Sequence, residues 1–486
     1  MKSPRLTILA IDLGTQSLRV SAFSAEGARN WSWSEAVYSE TGGAAYIQQP
    51  SQWKQLLSIA FDEAAGNCID PDVIVATGPL AGFTPVDRNG VSIGPAVMYL
   101  DGRASTDIGR VEEAIQQSSS AQQSSFRVTL ADPLPQWLRL QREEPRIATA
   151  TSKLLDATGW INHHLTGAAT LNSYTALRLY SDDVLERLGV DRRMFGTTVA
   201  VGQQIGPLRS DLAEAHGFRP VPVISAPFDS KCAYLAGALS ETGVGLDISG
   251  TVTSLGVFQA NEIVDMQKRV YSIPHNSGWL VRGSTACAGS AIEWARQNLL
   301  RKDFSTWTKD AESIEPGAEG VTFLPYLAGE RAPLWNPNAR GALLGLTLDT
   351  SDAVIGRAVL ESLAYALCDI IDVMRECGAI VGTLRLSGGL SRNDLLSQIK
   401  ADVTGLPLDH LRDFELTSLG LVAIAVVALG VEKNLDAVCA RLSVIDKRFD
   451  PCPTRHQAYK QHYARYRNYR EALRPTFVPE ERREIV

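Results

Sequence analysis

Two stretches of this chain share one pattern, and few folds can carry that pattern twice. The first is Leu6-Thr-Ile-Leu-Ala-Ile-Asp-Leu-Gly-Thr-Gln-Ser-Leu-Arg19. Its apolar run to Ile11 reads as a buried strand ending on a carboxylate, Asp12. Gly14, Thr15, Gln16 and Ser17 turn the chain, and residues 19–23 read as the returning strand. Such a turn gathers backbone N–H groups and short hydroxyls into a concavity suited to phosphate oxygens. The acid at the strand end suits Mg²⁺ held through water, because that ion takes one or two carboxylates beside substrate phosphates. A plain hairpin with polar turn residues fits the same residues.

The second copy argues against the plain hairpin. Leu246-Asp-Ile-Ser-Gly-Thr-Val-Thr-Ser-Leu-Gly-Val-Phe258 repeats the order of residues 11–23: an apolar residue, an Asp, a Gly and hydroxyl turn, and a strand ending in Phe. The copies lie about half the chain apart, which suggests two related domains facing each other across a cleft. Two phosphate-holding hairpins there could grip both ends of a nucleoside triphosphate's phosphate chain. A length of 486 residues also demands more than one core, since single cores stop growing near roughly 250–300 residues.

Charge narrows the partners. A formal net charge of −7 argues against a nucleic-acid or anionic-membrane surface. The seven cysteines form no CxxC pair and are odd in number, so they read as reduced core residues of a cytoplasmic protein. Lys2 and Arg5 faintly imitate a signal peptide, but Asp12 and Arg19 end the apolar run early, and no later stretch is long enough to span a membrane.

Along the chain, Trp53, Leu56, Leu57, Ala60 and Phe61 predict a helix over 50–61, with Ser51 as a cap. A strand at 73–76 leads into Thr77-Gly-Pro-Leu-Ala-Gly-Phe83, and one at 95–100 into Asp101-Gly-Arg103. Loops after strand ends are where open α/β sheets hold ligands, so these two are candidate pocket walls; as ordinary turns they are equally well explained. Residues 116–125 are polar and low in complexity, a surface helix end or loop. Helices are expected at 137–142 and 153–165. His163 and His164, being adjacent, cannot share a helix face as metal ligands. Residues 221–239 read as strand, tight loop and helix beginning at Asp229, which serves either as a helix cap or as an acid ready to accept a hydroxyl proton.

A boundary at 240–243 precedes the second hairpin. Residues 282–294 form a small-residue loop opening a helix. A long helix runs over 352–377, capped by Ser351 or Asp352 and stopped by Gly378. A strand at 383–387 meets Gly388-Gly389, and a helix runs from near Asn393 to Gly405; this unit allows backbone to approach a base or phosphate closely. The tail sets Tyr459, Tyr463, Tyr466 and Leu473 at helical spacing among basic residues, which reads as a docked helix in preference to a nucleic-acid surface.

Taken in order, these pieces resemble the FGGY family of carbohydrate kinases, within the actin-like ATPase superfamily. Asp12-Leu-Gly-Thr-Gln-Ser is similar to the family's first phosphate motif, Gly250-Thr251 to the second, and Leu386-Ser-Gly-Gly-Leu-Ser-Arg-Asn393 to the adenosine motif. The resemblance implies an α/β protein of two ribonuclease-H-like domains across a catalytic cleft. They are expected at 1–240 for sugar and 244–432 for nucleotide, with a helical extension at 433–486. It implies phosphoryl transfer from ATP, with Mg²⁺, to a sugar hydroxyl. Asp229 would be the catalytic base and Asp12 the metal-holding acid. Thr15, Gln16, Ser17 and Arg19 would lie along the phosphates opposite Gly250 and Thr251. Gly289, Gly389 and Asn393 would border the adenosine, and Leu80, Ala81, Asp101 and Ser230 the sugar. A homodimer is left open as the assembly.

The sugar half departs from pattern. Gly78-Pro-Leu-Ala-Gly82 stands where xylulose kinases show Gly-Gln-Met-His-Gly, and Ser230 where relatives carry Asn or Gln. The xylulose kinase branch is the nearest likeness, so a ketopentose of the D-xylulose or D-ribulose type is expected. The other readings are a kinase for another sugar or polyol, and an actin-like switch ATPase without a sugar substrate.

Overall fold

The computed structural model describes residues 6–118, 127–413 and 415–478 of the chain. These fall into two compact units, one of Met1–Ala238 with Leu416–Leu442, the other of Leu239–Glu415 with Ser443–Val486.

The first unit is built on a six-stranded sheet. Its order is Gln204–Pro207, Pro222–Ser225, Val73–Thr77, Ile8–Leu13, Ser17–Phe23 and Arg29–Ala36. Every residue of Ile8–Leu13 is buried, as a strand covered on both faces requires. Leu9, Ile11 and Leu13 pack with Trp53, Leu57 and Phe61 of the helix Pro50–Gly66 and with Ile161 and Leu165 of the helix Ala157–Thr166. The opposite face is covered from far along the sequence. The helix Leu416–Ala428 contacts the strands Ile8–Leu13 and Val73–Thr77 and packs along the helix Asp229–Ala236. Its residues are apolar on nearly every side, the composition of a helix buried all round.

The second unit repeats the plan in a seven-stranded sheet ordered Tyr271–His275, Gly278–Ser284, Thr253–Gln259, Val244–Ser249, Thr383–Ser387, Leu408–Leu411, Ile445–Phe449. In both sheets an antiparallel hairpin is extended by a third antiparallel strand on one side and by two parallel strands on the other. That is the ribonuclease-H-like order, present twice. The helix Asp352–Glu376 is capped by Ser351, whose Oγ accepts from Val354 N–H, and ends before Gly378 at φ 90°. The tail helix Pro453–Leu473 docks here, with Tyr459 and Tyr466 fully buried. Tyr459 Oη lies 3.0 Å from Glu361 Oε1 and accepts from Arg357 at 2.7 Å, while Tyr466 and Tyr326 hydroxyls meet at 2.9 Å.

The structure departs from the sequence reading at several points. In the packing of the chain, residues 416–442 group with the first unit, although they follow the second hairpin in sequence. Pro50 takes the first helical position with Gln49 at the cap, which puts Ser51 inside the helix. Only Ala96–Val97 is a strand within 95–100. The helix expected over 153–165 is a strand, Lys153–Leu155, followed by a helix from Ala157, because Asp156 Oδ1 accepts Gly159 N–H at 2.7 Å and so caps a helix start there. Asp229 is the first helical residue, with Phe228 at the cap. Of the low-complexity stretch at 116–125, residues 119–125 lie outside the described residues, as do Lys2 and Arg5.

Two glycines test this packing with opposite signs. A Cβ on Gly420 would lie 2.2 Å from Cys232 O, whereas one on Gly109, inside the exposed part of the helix Ser105–Gln116, would meet nothing within 4 Å. Gly420→Ala is expected to destabilise the protein by about 1–3 kcal/mol, as overpacking does, and Gly109→Ala to stabilise it by about 0.5–1 kcal/mol. Urea unfolding of both variants beside the wild type measures the two signs.

Candidate active site

The first hairpin turn is fastened by its own backbone and by one buried amide. Gly14 N–H donates to Ser17 O at 2.8 Å, and Val37 N–H to Gln16 O at 2.9 Å. Gln48, fully buried, donates to Thr15 O at 2.9 Å while its carbonyl accepts from Trp53 Nε1 at 3.0 Å. The turn is therefore tied to the core through Trp53. Thr15 and Ser17 are half-buried and Gln16 exposed. Asp12 is nearly buried, and Arg19 Nη1 stands 3.7 Å from its Oδ2.

Asp229 is brought to the same region by strand geometry. Asp12 pairs in register with Thr77, the last residue of the adjacent parallel strand. Thr77 Oγ1 donates to Pro227 O at 2.6 Å, and Asp229 N–H donates to Gly78 O at 2.9 Å. The strand end carrying Asp12 and the loop carrying Asp229 are thus linked through Thr77 and Gly78. Burial raises the Cys232 thiol pKa, and the charges of both Asp12 and Asp229 push it the same way, so both carboxylates act on one buried sulfur. Asp229 and Ser230 are half-buried at the start of the helix.

The expected sugar loops are placed less favourably. Leu80 is half-buried, but Ala81 has no exposed area and belongs to a core cluster with Phe83, Val111, Leu134 and Trp137. Asp101 is likewise fully buried, taking Tyr46 N–H at 3.0 Å and the Arg103 guanidinium at 2.7 Å. Against expectation, neither Ala81 nor Asp101 offers a surface to a ligand in this structure. The group that Asp101 aims is Arg103, whose side chain keeps 26% of its exposure. His163 Nδ1 lies 3.0 Å from Gly167 O, and His164 stacks on Trp160, with burial lowering its pKa to about 4.

In the second unit the candidate nucleotide residues come together. Gly289 N–H donates to Gly250 O at 2.9 Å, and Ala288 and Ser290 N–H both donate to Thr251 O. A Cβ on Gly289 would fall 2.6 Å from Gly250 O, and one on Gly388 2.4 Å from Ser249 O, so both positions require glycine. Gly389 is exposed beside this contact. Asn393 caps the helix Asp394–Thr404 by accepting Leu396 N–H at 2.8 Å.

The two hairpins are not equivalent acid for acid. Asp12 lies two residues before Gly14, whereas Asp247 lies three before Gly250. Side chains alternate on a strand, so that one-residue offset sends Asp247 to the opposite face. Aligned on the glycines, Asp247 occupies the place of Ile11, and Ile248, paired with Ser387, that of Asp12.

Glu330 stands in none of the phosphate or adenosine motifs of the sequence. This buried carboxyl accepts Ala286 N–H at 2.6 Å and Arg331 N–H at 2.7 Å through Oε1, which fixes the loop that leads to Gly289. Burial raises its pKa to about 8, outweighing those two N–H groups.

Comparison with known proteins fits this geometry. Residues 7–236 match the N-terminal domain of the FGGY family of carbohydrate kinases, and residues 248–429 match its C-terminal domain. The chain belongs to the FGGY family of carbohydrate kinases. It is 28% identical to a xylulose kinase of Escherichia coli (strain K12), over 96% of this chain and 97% of that one. It is 26% identical to a glycerol kinase of Ectopseudomonas mendocina (strain ymp), over 91% and 94%. The crystal structure of a gluconate kinase from Lactobacillus acidophilus superposes with a TM-score of 0.89 at 18% identity, covering 98% and 99% of the two chains. As an FGGY kinase the protein is a phosphotransferase acting on a carbohydrate hydroxyl, with ATP as the implied donor. Among the described residues no helix is long and apolar enough to cross a membrane.

The Glu330 carboxyl makes a pH prediction. Its unfolded value is near 4.3, so between roughly pH 4.3 and 8 the folded state keeps a proton that the unfolded state has lost. Stability from this group is greatest below that window and declines through it by at most about 1.4 kcal/mol per pH unit. Glu330→Gln keeps the neutral acceptor without the proton. The variant is expected to gain on the wild type steadily from pH 5 to pH 8 in denaturant midpoints.

Proposed function

We propose that this FGGY kinase transfers the γ-phosphoryl group of ATP to a hydroxyl of a ketopentose of the D-xylulose or D-ribulose type. The observation that carries the reading is the position of Asp229, at the head of its helix and linked through Gly78 and Thr77 to the strand Ile8–Leu13 that carries Asp12. The Asp229 carboxylate takes the proton of the sugar hydroxyl. The freed oxygen forms a bond to the γ-phosphorus as the bond to the bridging β–γ oxygen breaks, and ADP leaves. The transferring group is loose and electron-poor, so positioning and charge matter more than base strength. The N-terminus of a helix favours an ionised carboxylate, which keeps Asp229 able to accept a proton.

Thr15, Gln16, Ser17 and Arg19 attend the phosphates from the first unit. Gly250 and Thr251 are likewise assigned to phosphate, and Gly289, Gly389 and Asn393 to the adenosine. Asp12, a hard carboxylate at the end of a buried strand beside the turn, fits Mg²⁺, which when bound would neutralise phosphate charge. The substrate class draws on the relatives named as xylulose kinases. With Ala81 in the core, we assign the sugar's polar contacts to Asp229, Ser230 and Arg103, and an apolar contact to Leu80. Pro79 and Ala81 stand where the xylulose kinase pattern has Gln and His, so modest selectivity among ketopentoses is expected, since an apolar wall discriminates weakly.

The test is ADP release from ATP and Mg²⁺ with a panel of ketopentoses, aldoses, polyols and aldonic acids. Ketopentoses are expected to give the highest kcat/KM; a higher value for glycerol or gluconate overturns the substrate class, and sugar-independent ADP release overturns the kinase step. Asp229→Asn is expected to lose about 10²–10⁴-fold in kcat, the usual contribution of a general base, while nucleotide binding is retained. A variant with a tenth of wild-type turnover would release Asp229 from the role.

A further inference from the structure

Beneath the second hairpin lies an ion pair that phosphoryl transfer does not itself require. Lys400, on the helix Asp394–Thr404, and Asp247 are both buried, with Lys400 Nζ 2.6 Å from Asp247 Oδ2. Nζ also donates to Ser249 Oγ at 2.7 Å, and that hydroxyl donates to Asp247 Oδ1 at 2.7 Å with Thr253 Oγ1 3.2 Å away. Stability does not explain the arrangement. Desolvating two ions is costly, and a buried pair is often no better than apolar residues of the same size. The chain itself supplies the comparison: the equivalent place in the first hairpin is filled by Ile11, fully buried in the apolar core.

What the pair does achieve is fixed geometry at Ser249. The next residues are Gly250 and Thr251, whose carbonyls receive the N–H groups of Ala288, Gly289 and Ser290. The backbone of Ser249 is also what Gly388 abuts, at a separation that admits no Cβ. Two loops therefore take their position from one residue. Lys400 reaches that residue from the helix whose first turn is capped by Asn393, roughly 10 Å away at 1.5 Å per residue. One helix thus carries Lys400 in its second half and is capped by Asn393, four residues after Gly389.

We propose that Lys400, acting through Asp247 and Ser249, is a positioning residue that sets the spacing between the Gly250–Thr251 turn and the Gly388–Gly389 loop, and so the affinity for nucleotide. It touches neither substrate. The proposal rests on the reading of those two loops as the nucleotide seat.

The test is the double variant Asp247→Ile with Lys400→Met, which exchanges the pair for apolar residues as at Ile11. It is expected to stay folded, with a thermal midpoint near that of the wild type. Its KM for ATP and its Kd for ADP should rise about tenfold to a hundredfold, the range for residues that orient contact groups, with the sugar KM unchanged. Ser249→Ala, which removes the shared hydroxyl and leaves the ion pair, should move the same constants in the same direction and serves if the double variant does not fold. A folded variant whose nucleotide constants stay within about twofold of wild type overturns the proposal. Gly289→Ala separates the two levels. If it weakens ADP binding while the double variant does not, the loops hold nucleotide but Lys400 does not position them. If Gly289→Ala also has no effect, the nucleotide seat is misassigned and the proposal falls with it.

Discussion

In each unit one strand is hydrogen-bonded antiparallel on one side and parallel on the other, and the functional groups take their places from it. The antiparallel partner returns through a tight turn, while the parallel partner can be reached only by a long crossover. The turn and the loop after the parallel strand therefore emerge at the same end. In the first unit these are residues 14–17 and the loop from Gly78, with Asp12 in register with Thr77. In the second they are Gly250–Val252 and Gly388, with Ile248 in register with Ser387. The same arrangement of three strands recurs in both units.

Much of this was legible from residues alone, because local chemistry decides it. Asn393 and Gly405 bound their helix as cap and left-handed terminator, Ser351 and Gly378 frame theirs, and Tyr459 and Tyr466 bury as their spacing requires. The illegible parts depend on contacts between distant residues. Asp101 looks like a ligand-facing acid until Tyr46 and Arg103 are found on its two oxygens. Ala81 follows a pocket motif in sequence but points into the cluster of Phe83 and Trp137. The pairing of Asp12 with Asp247 failed by one residue, and on a strand one residue is the difference between two faces. Lys400 carries no local signal, since its partner lies 153 positions away.

The buried polar groups of the second unit share a logic. Glu330, Asp247 and Glu361 each accept from named donors: two backbone N–H groups on Oε1 of Glu330, Lys400 and Ser249 for Asp247, and Arg357, Tyr365, Tyr459 and Gly317 N–H for Glu361. A satisfied polar network admits few alternative packings, whereas apolar contacts tolerate many. Loops that must hold a charged ligand at fixed distances gain from that restriction more than from extra stability.

The helix Leu416–Ala428 gives the first unit a history as well as a face. A ribosome releases the strands Ile8–Leu13 and Val73–Thr77 long before it makes the segment that covers them. Until then the sheet surface that this helix covers stands open to water. The nascent chain must therefore traverse the whole middle of the second unit with its first unit unfinished. Fragments cut near residue 240 would inherit the same open face permanently, and their insolubility would report a missing helix from 180 residues downstream, about the gap between Ala236 and Leu416.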